Sequence, residues 1–180
     1  MGTIDGRRLP QKPDSAAGHS VALAVACLIT YWLITHLLAR VHSVSRADDL
    51  LGAMWAVIAT VFVYRESHRE SVSAALSRAS ATALGFAVCL IYLLLFSFHP
   101  VGLAVLIGLT TFLLTLIGRA GDVVTAAVTV AVVLVVAAIS PDHAWEQPIL
   151  RAVDTGVGIA VGLAASALAV RVSPVPGRRR

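Results

Sequence analysis

Charge is scarce in this chain. Asp, Glu, Lys and Arg make up 13% of its 180 residues, about half the share of a soluble domain. There are two cysteines, Cys27 and Cys89, each inside an apolar run. Neither stands in a Cys-x-x-Cys or Cys/His spacing, so no zinc ribbon and no metal-ligand motif is written here. Aromatic residues are only 6%, and no basic helix interleaves with them as single-strand binding requires. The net charge of +4 is therefore no sign of a nucleic-acid partner. The chain has no Gly-x-Ser-x-Gly, no His-Glu-x-x-His and no paired acids on one helical face of the kind catalysis uses. Glu66 and Glu70 share a face, but they stand among Arg65 and Arg69 as solvated pairs. An enzyme is not expected, and no cofactor motif is present.

What the chain has instead is apolar surface. Hydrophobic residues are 58% of it and its mean hydropathy is +0.85, which makes the bilayer its natural solvent. The expected layout is a flexible tail over residues 1–18, a membrane domain over 19–172 and a basic tail over 173–180. Six apolar runs fill the domain: Val21–Leu38, Leu50–Tyr64, Ala81–Phe98, Val101–Ile117, Val123–Ile139 and Val153–Val172. None alternates like a barrel strand, so backbone satisfaction in lipid demands helices. The expected fold is an all-α integral membrane protein with six transmembrane helices. Between the second and third runs, Ser67 and Glu70 have capping-box spacing, which predicts a short interfacial helix over 66–78.

Orientation follows from the basic residues. With the N-terminus inside, the inner segments hold Arg7, Arg8, Lys12, Arg65, Arg69, Arg78, Arg119, Arg171 and Arg178 to Arg180. The outer segments hold only Arg40, Arg46 and Arg151. The positive-inside rule then places both termini in the cytoplasm, in a multi-pass protein of the plasma (inner) membrane.

One phrase occurs twice. RASATALGFAV begins at Arg78 and RAVDTGVGIAV at Arg151, and six of the eleven positions are identical. The offset is 73 residues, or three runs. Arg78 opens the third run from the inside and Arg151 opens the sixth from the outside. A three-span unit repeated once returns upside down, the 3+3 inverted repeat of many secondary transporters. An arginine at a span's start reaches lipid phosphates or a carboxylate held by the protein. Thr82 and Thr155 can bond a backbone carbonyl or a substrate oxygen. Gly85 and Gly158 let a neighbouring helix or a ligand come close, or serve packing alone.

The residues Trp55-Ala56 and Thr60 in the second run, the polar turn YRESHRES, and Arg78 with Thr82 and Gly85 carry a resemblance. So do Arg151, Asp154, Thr155 and Gly158 at the last run. The sequence resembles the membrane domain of the aromatic acid exporter family, also called the fusaric acid resistance (FUSC-like) family. It departs at Ala81, where that family usually has Gly, and in having one membrane domain where larger members have two or add a cytosolic region. The resemblance implies six helices and proton-driven export of small, often aromatic, organic acids.

Two further residues offer chemistry at membrane depth. His36 stands about one turn inside the outer end of the first run, where it can relay a proton, bind an acid, or simply sit half-solvated. Asp154 is costly in lipid unless paired or hydrated, and Arg151 three residues away supplies a local pair. The transporter expected here holds a small organic anion at Arg78 or Arg151 and a coupling proton at Asp154 or His36. It works as a homodimer or other homo-oligomer in the lipid bilayer. The alternative is a non-transporting scaffold or a subunit of a larger membrane complex.

Overall fold

The computed structural model describes residues 13–38, 46–65, 67–139, 141 and 144–172. Helices α1 (Pro13–Trp32), α2 (Arg46–Val63), α3 (His68–Leu95), α4 (Pro100–Leu116), α5 (Val123–Ile139) and α6 (Glu146–Val172) make up nearly all of it. A π-helical turn, Leu33–Leu38, extends α1, and a short 3₁₀ turn, Ala120–Asp122, leads into α5. The described residues contain no strand. The first helix begins at Pro13, inside the stretch expected as a tail. The rest of that expected tail, residues 1–12, and the basic tail 173–180 lie outside the described residues.

Among the described residues, four segments are long and apolar enough to cross a membrane: Ala17–Leu37, His68–Leu95, Ala120–Ile139 and Glu146–Ala169. This makes the protein all-α and multi-pass. Two of the six expected spans fall short of that standard. Helix α4 has only 17 residues, about 25 Å of rise. Helix α2 opens on Arg46, Asp48 and Asp49, so its apolar part is shorter than the helix.

The packing is inside-out relative to a soluble bundle. Val21, Leu28, Trp32, Leu95, Phe112 and Ile139 are exposed, as a lipid-facing shell would be. Small residues fill the interior: Ala53, Ala56, Ala59, Ala81 and Ala126 are wholly buried. Apolar side chains gain little by leaving lipid for protein. Close backbone approach and interhelical hydrogen bonds are what remain to hold such helices together. One apolar cluster of larger side chains, with Trp55, Phe86, Val130 and Leu134, ties α2, α3 and α5.

The polar turn between α2 and α3 differs from expectation. No separate interfacial helix exists; α3 runs unbroken from His68 through Arg78 to Leu95. Ser67 is its N-cap residue, but its side chain makes no capping bond. The hydroxyl of Ser71, in the first turn, holds the preceding turn and a neighbouring helix instead. It accepts from the Arg65 N–H at 3.0 Å and bonds to Ser166 of α6 at 2.8 Å. The second of these bonds pins α3 to α6. His99 caps α4, accepting from the Val101 N–H at 3.2 Å, with Pro100 as first helical residue.

Contacts fix the helix directions. Trp55 bonds to Thr155 and Thr60 to Gly158, so α2 and α6 run parallel. Gly85 abuts Ala126 and Thr129 while Cys89 lies on Val130, so α3 and α5 run parallel. Ser71 meets Ser166, whereas Arg78 and Thr155 both reach Trp55. Helix α3 is therefore antiparallel to α6.

Candidate functional site

The two copies of the repeated phrase converge on Trp55. This indole is 2% exposed. Its N–H donates to the Thr155 hydroxyl at 2.8 Å, and its ring centroid lies 5.8 Å from the Arg78 guanidinium carbon. One phrase thus touches each side of the same residue. The remaining hydroxyls turn onto backbone, as threonines in lipid-buried helices do. Thr155 donates to the Arg151 carbonyl at 2.7 Å and Thr82 to the Arg78 carbonyl at 2.6 Å. Thr60 lies 3.0 Å from the carbonyls of both Ala56 and Gly158, and 2.9 Å from the hydroxyl of Thr30 on α1. It joins three helices.

Both arginines are buried within the bundle. Arg151 is 2% exposed and Arg78 is 5% exposed. Burial of a guanidinium is tolerable only with partners, and the two are provided for differently. Arg151 lies 3.0 Å from Asp154 and 4.0 Å from Asp48 of α2, and it donates to the Asp48 carbonyl at 3.3 Å. Gln147 donates to the Asp48 carboxylate at 3.3 Å. Gly52 makes room for this cluster: a Cβ there would stand 2.8 Å from an Asp154 carboxylate oxygen. The cluster clamps the start of α2 to the start of α6.

Arg78 has no such neighbours. Among the described residues no carboxylate pairs with it, and its buried Nε has no hydrogen-bond partner. Aromatic faces stand in for anions: Phe62 lies over the guanidinium at 4.6 Å, with Trp55 further off. Cation–π contacts of this kind offset part of the burial cost but leave the N–H edge unused. Arg78 also lines an open cavity of about 360 Å³, together with Arg65, Glu70, Ser73, Ser77 and Thr125. Ser77 is already committed, since its hydroxyl donates to Asp122. Asp122 also pairs with Arg119.

The structure thus gathers Trp55, Thr60, Arg151, Asp154, Thr155 and Gly158 along α2 and α6. Arg78, Thr82 and Gly85 lie on α3, with Arg78 facing Trp55. His36 is apart from them. It is exposed on the π-helical turn, stacked on Trp32 at 5.4 Å and bonded to Thr35 at 2.9 Å. Two residues escaped sequence reasoning. Asp48 stands just ahead of the second apolar run, which begins at Leu50. A carboxylate at the same end of the bundle as Arg151 was the available signal. Phe62 gave no signal, since a phenylalanine in an apolar run is ordinary.

The glycines repeat in space as in sequence. Gly158 lies so close to α2 that a Cβ would overlap the Ala56 carbonyl oxygen. Gly85 lies against α5, where a Cβ would stand 3.1 Å from Thr129. The 73-residue offset carries Gly85 to Gly158 and Ala56 to Thr129.

No curated protein and no solved structure matches the chain. The family model described as fusaric acid resistance protein-like matches residues 25–165, a span that holds α2 to α5 whole and both arginine sites. The chain belongs to the fusaric acid resistance protein-like family, and with its apolar helices it is a multi-pass membrane protein of transporter and efflux character.

Proposed function

We propose that the protein is a secondary transporter that exports small organic anions, aromatic acids among them, in exchange with protons. Its six helices form two inverted halves, α1 to α3 and α4 to α6. The correspondence of the Gly158–Ala56 and Gly85–Thr129 contacts under one offset supports that reading, as does the antiparallel course of α3 and α6. The halves rock about the Trp55 contact, both termini lie on the cytoplasmic side of the inner membrane, and the working unit is a homo-oligomer.

The observation that carries the proposal is the unequal fate of the two arginines. Arg151 is neutralised by the carboxylates of Asp154 and Asp48. Arg78 is also buried and borders a cavity, and among the described residues no carboxylate pairs with it. The anion binds at Arg78, with Thr82 and Gly85 shaping that helix. Asp154 carries the coupling proton, because protonation frees Arg151 from its nearest partner. Trp55, Thr60, Thr155 and Gly158 hold α2 to α6 around the path.

The test is flux through purified protein in sealed vesicles, with an imposed pH gradient and a panel of small organic acids. Gradient-driven movement of at least one acid, lost in Arg78→Gln and uncoupled from the gradient in Asp154→Asn, is the expected result. Folded protein that moves none of them favours a scaffold or a subunit that needs a partner. Coupling that persists in Asp154→Asn removes that residue from the mechanism.

A further inference from the structure

One wall of the cavity at Arg78 is an aromatic ring. Phe62 covers the guanidinium at 4.6 Å and yet is 46% exposed, so it is not needed as core. We infer that Phe62 sets which anions the cavity accepts, admitting singly charged, weakly hydrated anions and rejecting strongly hydrated dianions. The inference rests on the reading of Arg78 as the anion's partner.

Three features lead there. With a ring over the guanidinium, an anion meets its N–H edge, and the rest of the anion lies against the ring. The charged residues lining the cavity are Arg78, Arg65 and Glu70, so one negative charge neutralises them. Free donors are few as well. Ser77 is committed to Asp122, which leaves Ser73 and Thr125 beside the arginines. Sulfate or hydrogen phosphate would exchange part of a tightly held hydration shell for this sparse set. The Born cost of burial rises with the square of the charge, about fourfold for a dianion over a monoanion.

Trifluoroacetate serves as the probe, followed by the fluorine NMR linewidth in the presence of the purified full-length protein. Wild type should broaden the line. Nitrate should reverse the broadening at concentrations where sulfate at equal ionic strength does not. Arg78→Gln should abolish the broadening. Phe62→Leu should keep it while the preference for nitrate over sulfate falls by roughly three- to tenfold, the worth of a partly desolvated cation–π contact. Phe62→Tyr, which retains the ring, should keep the preference. A normal elution profile and helical circular dichroism are required of each variant. Broadening that survives in Arg78→Gln would overturn the underlying reading. An unchanged preference in Phe62→Leu, with the Arg78→Gln loss intact, would overturn only the role of Phe62. Equal displacement by sulfate and nitrate in wild type would do the same.

Discussion

Three glycines of the two phrases provide a graded test of the packing. At Gly158 an added Cβ overlaps the Ala56 carbonyl oxygen and stands 2.8 Å from the Ala59 Cβ. Both belong to the backbone framework of α2 and cannot rotate aside, so α2 and α6 must separate. At Gly85 the nearest atom is the Thr129 methyl at 3.1 Å, with the Ala126 carbonyl at 3.4 Å. A shift of a few tenths of an ångström accommodates it. At Gly156 nothing lies within 4 Å. Gly158→Ala should cost about 2–3 kcal/mol, the upper part of the overpacking range. Gly85→Ala should cost less than about 1 kcal/mol. Gly156→Ala should cost nothing or gain up to about 1 kcal/mol from helix propensity. At roughly 2–4 °C per kcal/mol for a domain of this size, Gly158→Ala lowers Tm by roughly 4–12 °C. The assay is thermal unfolding of the three variants at one detergent and protein concentration. A Gly158→Ala variant as stable as Gly156→Ala, or Gly85→Ala as damaged as Gly158→Ala, would refute the close-approach reasoning.

Two other sets of variants probe the polar contacts. Thr155→Val strands the buried Trp55 N–H and should cost about 1–3 kcal/mol. In the double variant with Trp55→Phe the loss should be smaller than the sum of the single losses, as measured by a thermal double-mutant cycle. Arg151→Gln deprives Asp154 and Asp48 of their shared cation and should cost about 3–5 kcal/mol. Adding Asp154→Asn to it should recover part of that loss, and a further loss would show that Asp154 is held by something other than Arg151.

Much of this arrangement was legible in residue order. Apolar runs bounded by polar turns mark helices because lipid leaves the backbone no other choice. The repeated Arg, Thr and Gly marked the two helices that meet Trp55. Asp154 stood three residues from Arg151, so their pair was local and readable. What stayed hidden depends on which helices meet. The Asp48–Arg151 contact joins residues 103 apart, and Ser71–Ser166 joins residues 95 apart. No periodicity encodes either. Span length misled where charge intruded: α2 reads as an apolar run from Leu50, yet the folded helix begins at Arg46 and buries Asp48. The helix expected over 66–78 is the opening of α3 and not a separate element, because no Gly or Pro between Arg78 and Ala81 interrupts it and the chain runs on to Leu95.

The central claim is that the two arginine phrases enter the membrane from opposite sides. Single cysteines at His68, ahead of Arg78, and at Trp145, ahead of Arg151, test it in a background with Cys27 and Cys89 replaced by alanine. Both positions are exposed in the structure, and a membrane-impermeant maleimide on intact cells and on inverted vesicles reports their side. The account predicts labelling of the Trp145 position from outside and of the His68 position only from the cytoplasmic face. Labelling of both from one face would contradict it: the repeat would not be inverted, and the proposed rocking of two inverted halves would fall with it.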